Sequence, residues 1–185
     1  MFDLKNKDIK LEFIKNLSWP EVFEIWRQNE EGGQNWIEHF KSRGFDTWEE
    51  WRMRYAEPFR CPEANWGLYR LKNPVRDLPS FWGGPFRSWK EKFYKDRDSM
   101  TFQELAATSE IQTHGTVNDM VKSFPNHTTL SGMVVDGEVY IIEGTHRCLA
   151  LALMNQRGLA HEGEVFLTLA ESPGGKLPVV GLFKK

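Results

Sequence analysis

A strand that turns straight into a helix constrains this chain more than any other feature. Val139, Tyr140, Ile141 and Ile142 form a β-branched and aromatic run, Glu143-Gly144 interrupts it, and the apolar stretch from Cys148 to Met154 that follows has helical character. Upstream, Met133 to Ile142 reads as two short strands joined by Asp136-Gly137, a dipeptide that suits the two positive φ angles of a type I′ turn. At the junction the first helical N–H groups have no carbonyl partner and sit at the positive end of the helix dipole, so an anion, phosphate above all, is favoured there. Gly144 lets a ligand approach the backbone, Thr145 suits the N-cap, and His146 and Arg147 add two side chains able to hold an oxyanion.

A chain of 185 residues with 40% hydrophobic and 14% aromatic content can bury a core as one domain or as a domain with an extension. That composition excludes a disordered tail protein. A formal net charge of -2 gives no global basic field, which argues against tight binding to a nucleic-acid backbone. Two cysteines, Cys61 and Cys148, are too few for a disulfide scaffold or a thiolate metal cage and read as reduced, buried thiols. The N-terminal stretch has no signal-peptide core and no apolar run has membrane-spanning length, so a cytoplasmic location is expected.

The tryptophans divide the chain. All eight lie between Trp19 and Trp89. Ser18 and Glu21 form a capping box ahead of Trp19, Val22, Phe23 and Trp26, spacing that predicts an amphipathic helix over 19–29, ended by Glu30-Glu31-Gly32-Gly33. Trp36, Ile37 and Phe40 mark a second helix from Asn35 to Arg43 with Gly44 behind it. Thr47 and Glu50 open a third, lined by Trp48, Trp51 and Tyr55 and stopped by Pro58. These helices define a Trp-rich extension over 1–62, and 63–185 is the main domain. Helically spaced aromatics serve as a stacking platform in some proteins and as plain packing in many more, and the packing reading is preferred.

In the main domain Trp66 to Leu71 reads as a strand, and Leu78 to Trp89 as a loop dense in glycine, proline and aromatic residues. Its Arg87 either closes over a ligand at Gly144 or sits in solvent while Phe86 and Trp89 pin the loop. Capping boxes at Thr101–Glu104 and Thr116–Asp119 predict two helices, with His114 in the loop between them. The helix after the junction runs to Gly158, and strands are expected over Glu164–Leu169 and Leu177–Phe183.

Glu143-Gly144-Thr145-His146-Arg147, followed by Ala150 and preceded by the hairpin, resembles the Gly-x-His-Arg-x-x-Ala motif of the ParB/sulfiredoxin-like superfamily, the likeness extending over about Thr101 to Gly158. The resemblance implies an α+β fold, a mixed sheet with flanking helices behind the N-terminal helical extension, with nucleotide or phosphate bound at the helix N-terminus. Sulfiredoxin chemistry needs a cysteine where this chain has Thr145, because thiolate attack drives it. DNA-partitioning relatives carry a downstream helix-turn-helix, whereas residues 159–185 read as strand and turn. A nuclease would need carboxylates and histidines at metal-ligand spacing, and none stand out.

The enzyme that the resemblance leaves is a phosphotransferase using ADP or ATP on a small molecule. Under that implication Gly144, Thr145, His146 and Arg147 hold the nucleotide phosphates, with Arg87 as a further contact. Arg147 also balances the charge in flight, His146 joins it as a catalytic residue, and Glu143 orients Mg²⁺ or the substrate hydroxyl. No second catalytic carboxylate aligns; Asp77, Glu91 and Glu104 are available. The competing reading is a noncatalytic nucleotide- or anion-binding module whose aromatic helices meet a protein partner or a second copy. In the plainest alternative, Glu143 and Arg147 form a salt bridge across the turn, a backbone carbonyl satisfies His146, and Thr145 merely caps the helix.

Overall fold

The computed structural model describes residues 2–6, 8–30 and 34–181 and shows a mixed α/β protein with one six-stranded mixed sheet. The elements in chain order are β1 (Leu11–Leu17), α1 (Trp19–Glu30), α2 (Gln34–Ser42), α3 (Trp48–Ala56), β2 (Trp66–Leu71), α4 (Pro74–Asp77), β3 (Trp82–Gly83), α5 (Arg87–Lys92), α6 (Phe102–Ala106), α7 (Ser109–Gln112), α8 (Gly115–Lys122), β4 (His127–Val135), β5 (Glu138–Glu143), α9 (Thr145–Gln156) and β6 (Glu164–Glu171). Strand order is β1-β2-β6-β4-β5-β3. The pairs β1/β2, β2/β6 and β4/β5 are antiparallel, and β4/β6 and β3/β5 are parallel. α9 is the crossover that returns the chain from β5 to β6 alongside β4, as a parallel pair requires.

The hairpin forms where the sequence places it. Asp136 and Gly137 take φ of 49° and 75°, the positive pair of a type I′ turn. The two faces of the sheet then bury different chemistry. Leu130, Val134, Val139, Ile141, Leu167 and Leu169 pack against α9 and its neighbours, while Met133, Ile142 and Ala170 meet the aromatic side chains of α1, α2 and α3. This is the period-two alternation of a strand applied to a sheet covered on both sides. α9 buries every residue from Cys148 to Met154, at about 1.5–3 kcal/mol for each large aliphatic side chain.

Several expectations change. β1 was not foreseen. It is hydrogen-bonded to β2, so the boundary at residue 62 cuts through one sheet rather than between two units. The aromatic stripes of 1–62 pack against that sheet, with Trp26, Trp48 and Trp51 almost wholly buried and Trp19, Phe23 and Trp36 half-buried. Residues 177–179 are not a strand; Val180 alone bridges to Phe86, and 182–183 lie outside the described residues, as does the expected 31–33 stop. α8 begins at Gly115 behind His114, so Thr116–Asp119 is no capping box, and α7 precedes it unannounced. Among the described residues no helix is long and apolar enough to cross a membrane.

Candidate functional site

The β5–α9 junction opens on a cleft of about 360 Å³. Gly144 takes the N-cap place with φ 96° and ψ 22°, and Thr145 is already helical, which corrects the expected cap. A side chain at Gly144 would collide with Leu130 and crowd the Arg147 guanidinium, so left-handed backbone and close packing both demand glycine. Cys148 N–H is the first to find a helical carbonyl, donating to Gly144 O at 3.0 Å. The amides of Thr145, His146 and Arg147 precede it and therefore have no carbonyl within the helix.

Glu143 and Arg147 form an ion pair across the turn, so the plainest alternative holds for these two. Arg147 Nη1 also donates to Thr128 Oγ1 (2.5 Å) and to Thr129 O (3.1 Å). Asn29 Nδ2 donates to the other Glu143 oxygen and to Thr129 O, each at 3.1 Å. Arg147 thus staples α9 to β4, and both carboxylate oxygens of Glu143 are engaged, which corrects the expectation of a free charge-balancing arginine and a metal-binding carboxylate. Among the described residues no group of three or more His, Cys, Asp or Glu is placed to hold a metal ion, and these donors do not fit the expected Mg²⁺.

His146 stands at the cleft with its ring edge-on to Trp89 (centroids 5.4 Å) and 5.5 Å from the ring of His114. Burial, with His114 and Arg147 beside it, lowers its pKa to about 4, so the imidazole is neutral at pH 7 and offers one N–H rather than a positive charge. Arg87 is exposed at the start of α5 and is not among the cleft residues; its backbone N–H donates to Val180 O at 2.8 Å, and Arg87 does not close over Gly144. Asp77 is buried against Arg76, Glu104 serves its own capping box, and neither lines the cleft, nor does Glu91. Burial raises both thiols, Cys61 to about 12 and Cys148 well above the ordinary thiol value, so neither is a nucleophile.

The opposite wall comes from the aromatic helices, a contribution the motif does not announce. Trp36, His39, Arg43, Trp51, Arg52 and Tyr55 line it. At its base Arg52 pairs with Glu30 at 2.8 Å, and Trp48 Nε1 donates to the second Glu30 oxygen at 3.0 Å. A signal for this pair exists in the sequence: Glu30 falls four residues beyond Trp26 on the buried stripe of α1, and Arg52 falls within the Trp48, Trp51, Tyr55 stripe of α3. A charge on an apolar stripe needs a partner, and here each supplies the other. Around the cleft four cationic side chains, Arg43, Arg52, Lys92 and Arg147, face two carboxylates, Glu30 and Glu143.

Comparison of the chain with family models, with characterised proteins and with solved structures finds no match.

Proposed function

We propose that the cleft at the start of α9 binds a small phosphorylated ligand bearing a planar ring, with ADP or ATP as the model compound. The observation that carries this reading is the opening of a 12-residue helix, through Gly144, onto a cleft with more cationic than anionic side chains and aromatic walls. Helix-terminal amides and the dipole favour phosphate, and the half-buried Trp36, His39 and Trp89 offer ring faces and edges to a base. The cleft volume falls in the ordinary range for small-ligand sites. A ParB/sulfiredoxin-like relationship accords with the same strand-to-helix turn and with the Gly-x-His-Arg spacing.

Binding without turnover fits the geometry better than phosphotransfer. Glu143 and Arg147 neutralise one another, and a His146 pKa near 4 makes a weak base. The test is calorimetry and thermal melting with ADP, ATP, inorganic phosphate and adenosine, beside an assay for phosphate transfer to a panel of hydroxyl acceptors. ADP and ATP are expected to bind and to raise the melting temperature, adenosine to do so far less, and the exposed Lys92→Glu to weaken the nucleotides at unchanged stability. Absence of binding by every phosphorylated compound at millimolar concentration sinks the proposal, and turnover would convert it into a phosphotransferase.

A further inference from the structure

A second hollow, of about 830 Å³, lies away from the cleft and shares no lining residue with it. Its apolar walls are Phe2, Leu4, Ile9, Leu11, Phe13 and Tyr69. The space stays open because β1 is the edge of the sheet and, among the described residues, no helix contributes to the lining. Leu11 and Phe13 stand opposite Leu71 and Tyr69, and the register shift between Phe13 and Lys15 sets Asn16 opposite Gly67, on the same face. A Cβ at Gly67 would meet the Tyr69 ring at 2.8 Å, so the glycine makes room for that ring along the floor. The rings of Phe2 and Phe13 then lie 5.3 and 5.5 Å from it.

The segment that forms the other wall is fixed through its backbone. Lys5 N–H donates to Gly137 O at 3.0 Å, Arg76 Nη2 donates to Asp8 O at 3.0 Å, and Lys72 N–H donates to Lys10 O at 3.1 Å. The hollow is therefore preformed, as small-molecule sites usually are, and its volume is in their ordinary range. Charge is confined to one end. Lys10 and Lys72 adjoin Leu11, whereas Phe13, Tyr69 and Asn16 continue away from them. Lys72 is paired with Glu12 and Asp3 has a contact of its own, while Lys10 has no carboxylate partner among the described residues. One surplus cation at the end of an apolar length, with no helix terminus beside it, matches a monocarboxylate better than a phosphate.

We propose that this hollow binds a free fatty carboxylate of medium chain length, its chain laid over Leu11, Phe13 and Tyr69 and its head at Lys10. Phe13 is 50% exposed, and the chain covers it. The stem of Lys10 adds apolar contact while its ammonium group stays at the water-facing rim, where the carboxylate also remains hydrated. The site is separate from the cleft, so it stands or falls independently of the function proposed above.

The experiment is calorimetry of the intact protein with octanoate, decanoate and dodecanoate below their micelle-forming concentrations, with decanol as the uncharged control and sedimentation to follow the mass. Saturable binding at a single site is expected, tightening about fourfold for each added methylene. Lys10→Glu replaces attraction by repulsion and should weaken decanoate about tenfold while hardly changing decanol. Phe13→Asp should abolish binding of all four compounds. Both side chains are exposed, so the melting temperature and the affinity for ADP should not change in either variant. Absence of saturable dodecanoate binding at millimolar concentration, or binding indifferent to Phe13→Asp, overturns the inference. So does equal affinity for decanol and decanoate. A concentration-dependent dimer that Phe13→Asp dissolves overturns it too, because the hollow would then belong to a second copy of the chain.

Discussion

The two faces of the sheet are filled by different means. Beneath α9 the core is largely aliphatic, and Leu149, Leu151 and Leu153 disappear into it with no polar atom to place. Beneath α1, α2 and α3 it is aromatic, and the indole N–H groups must be matched. Trp26 donates to Ser131 Oγ at 2.7 Å, which also receives Thr168 Oγ1–H at 2.6 Å, and Trp48 donates to Glu30. An aliphatic layer closes completely, whereas an aromatic layer brings polar atoms and ion pairs inward. The cleft lies at the seam, with Gly144 to Arg147 from the first layer and Trp51 with Arg52 from the second.

The sharpest attack on this contrast is at the seam itself. Arg147→Ala strands Glu143, which is only 4% exposed, and should cost about 3–5 kcal/mol in urea unfolding. In the aliphatic layer Leu151→Ala should cost about 2–5 kcal/mol through the cavity it leaves, with ligand affinity unchanged. An equal loss of affinity would show that the layers are not separable. In the aromatic layer Ser131→Ala leaves the Trp26 N–H buried without its acceptor, a loss of about 1–3 kcal/mol with little cavity, readable in the same melts.

Proton linkage divides the layers again, at no more than about 1.4 kcal/mol per pH unit for each group. Glu30 is raised above its unfolded value, so its contribution is complete below about pH 4.5 and is lost as pH rises through about 7. His146 is depressed, so its contribution is complete above about pH 6.5 and is lost as pH falls toward 4. Between these limits the two oppose one another. Glu30→Gln should make stability climb more steeply from pH 4 to 6.5, and His146→Gln should leave a decline from about pH 4.5 to 7; identical profiles for wild type and both variants would contradict the assignment. Smallest of all, Arg87→Ala should change neither stability nor nucleotide affinity beyond about 0.5 kcal/mol.

The legible parts of the sequence were local. Asp136-Gly137 announces its turn, Val139 to Ile142 its strand, and Thr101 with Glu104 its capping box, because each signal spans a few residues. β1 was silent because residues 12–16 are all exposed and carry no alternation to read. The Glu143–Arg147 pair could be anticipated from its helical spacing, but the Thr128 and Asn29 that fix it come from 19 and 114 residues away, and no local pattern encodes them. The α3 wall was missed for a related reason: Trp51 and Tyr55 read as packing, which they are, and a residue can fill a core on one side and line a cleft on the other.

The crowding of indoles into the sheet's second face has an optical consequence. Trp36, Trp51 and Trp89 border the cleft, and none of the eight tryptophans lies on α6, α7, α8 or α9. Intrinsic emission therefore samples the guest's surroundings without any dye, and Trp89, packed against Tyr94 and His146, carries the signal if the leucine-rich half loosens first. Set beside far-ultraviolet dichroism, which weighs both halves, that uneven sampling becomes a clock for the order in which they come apart.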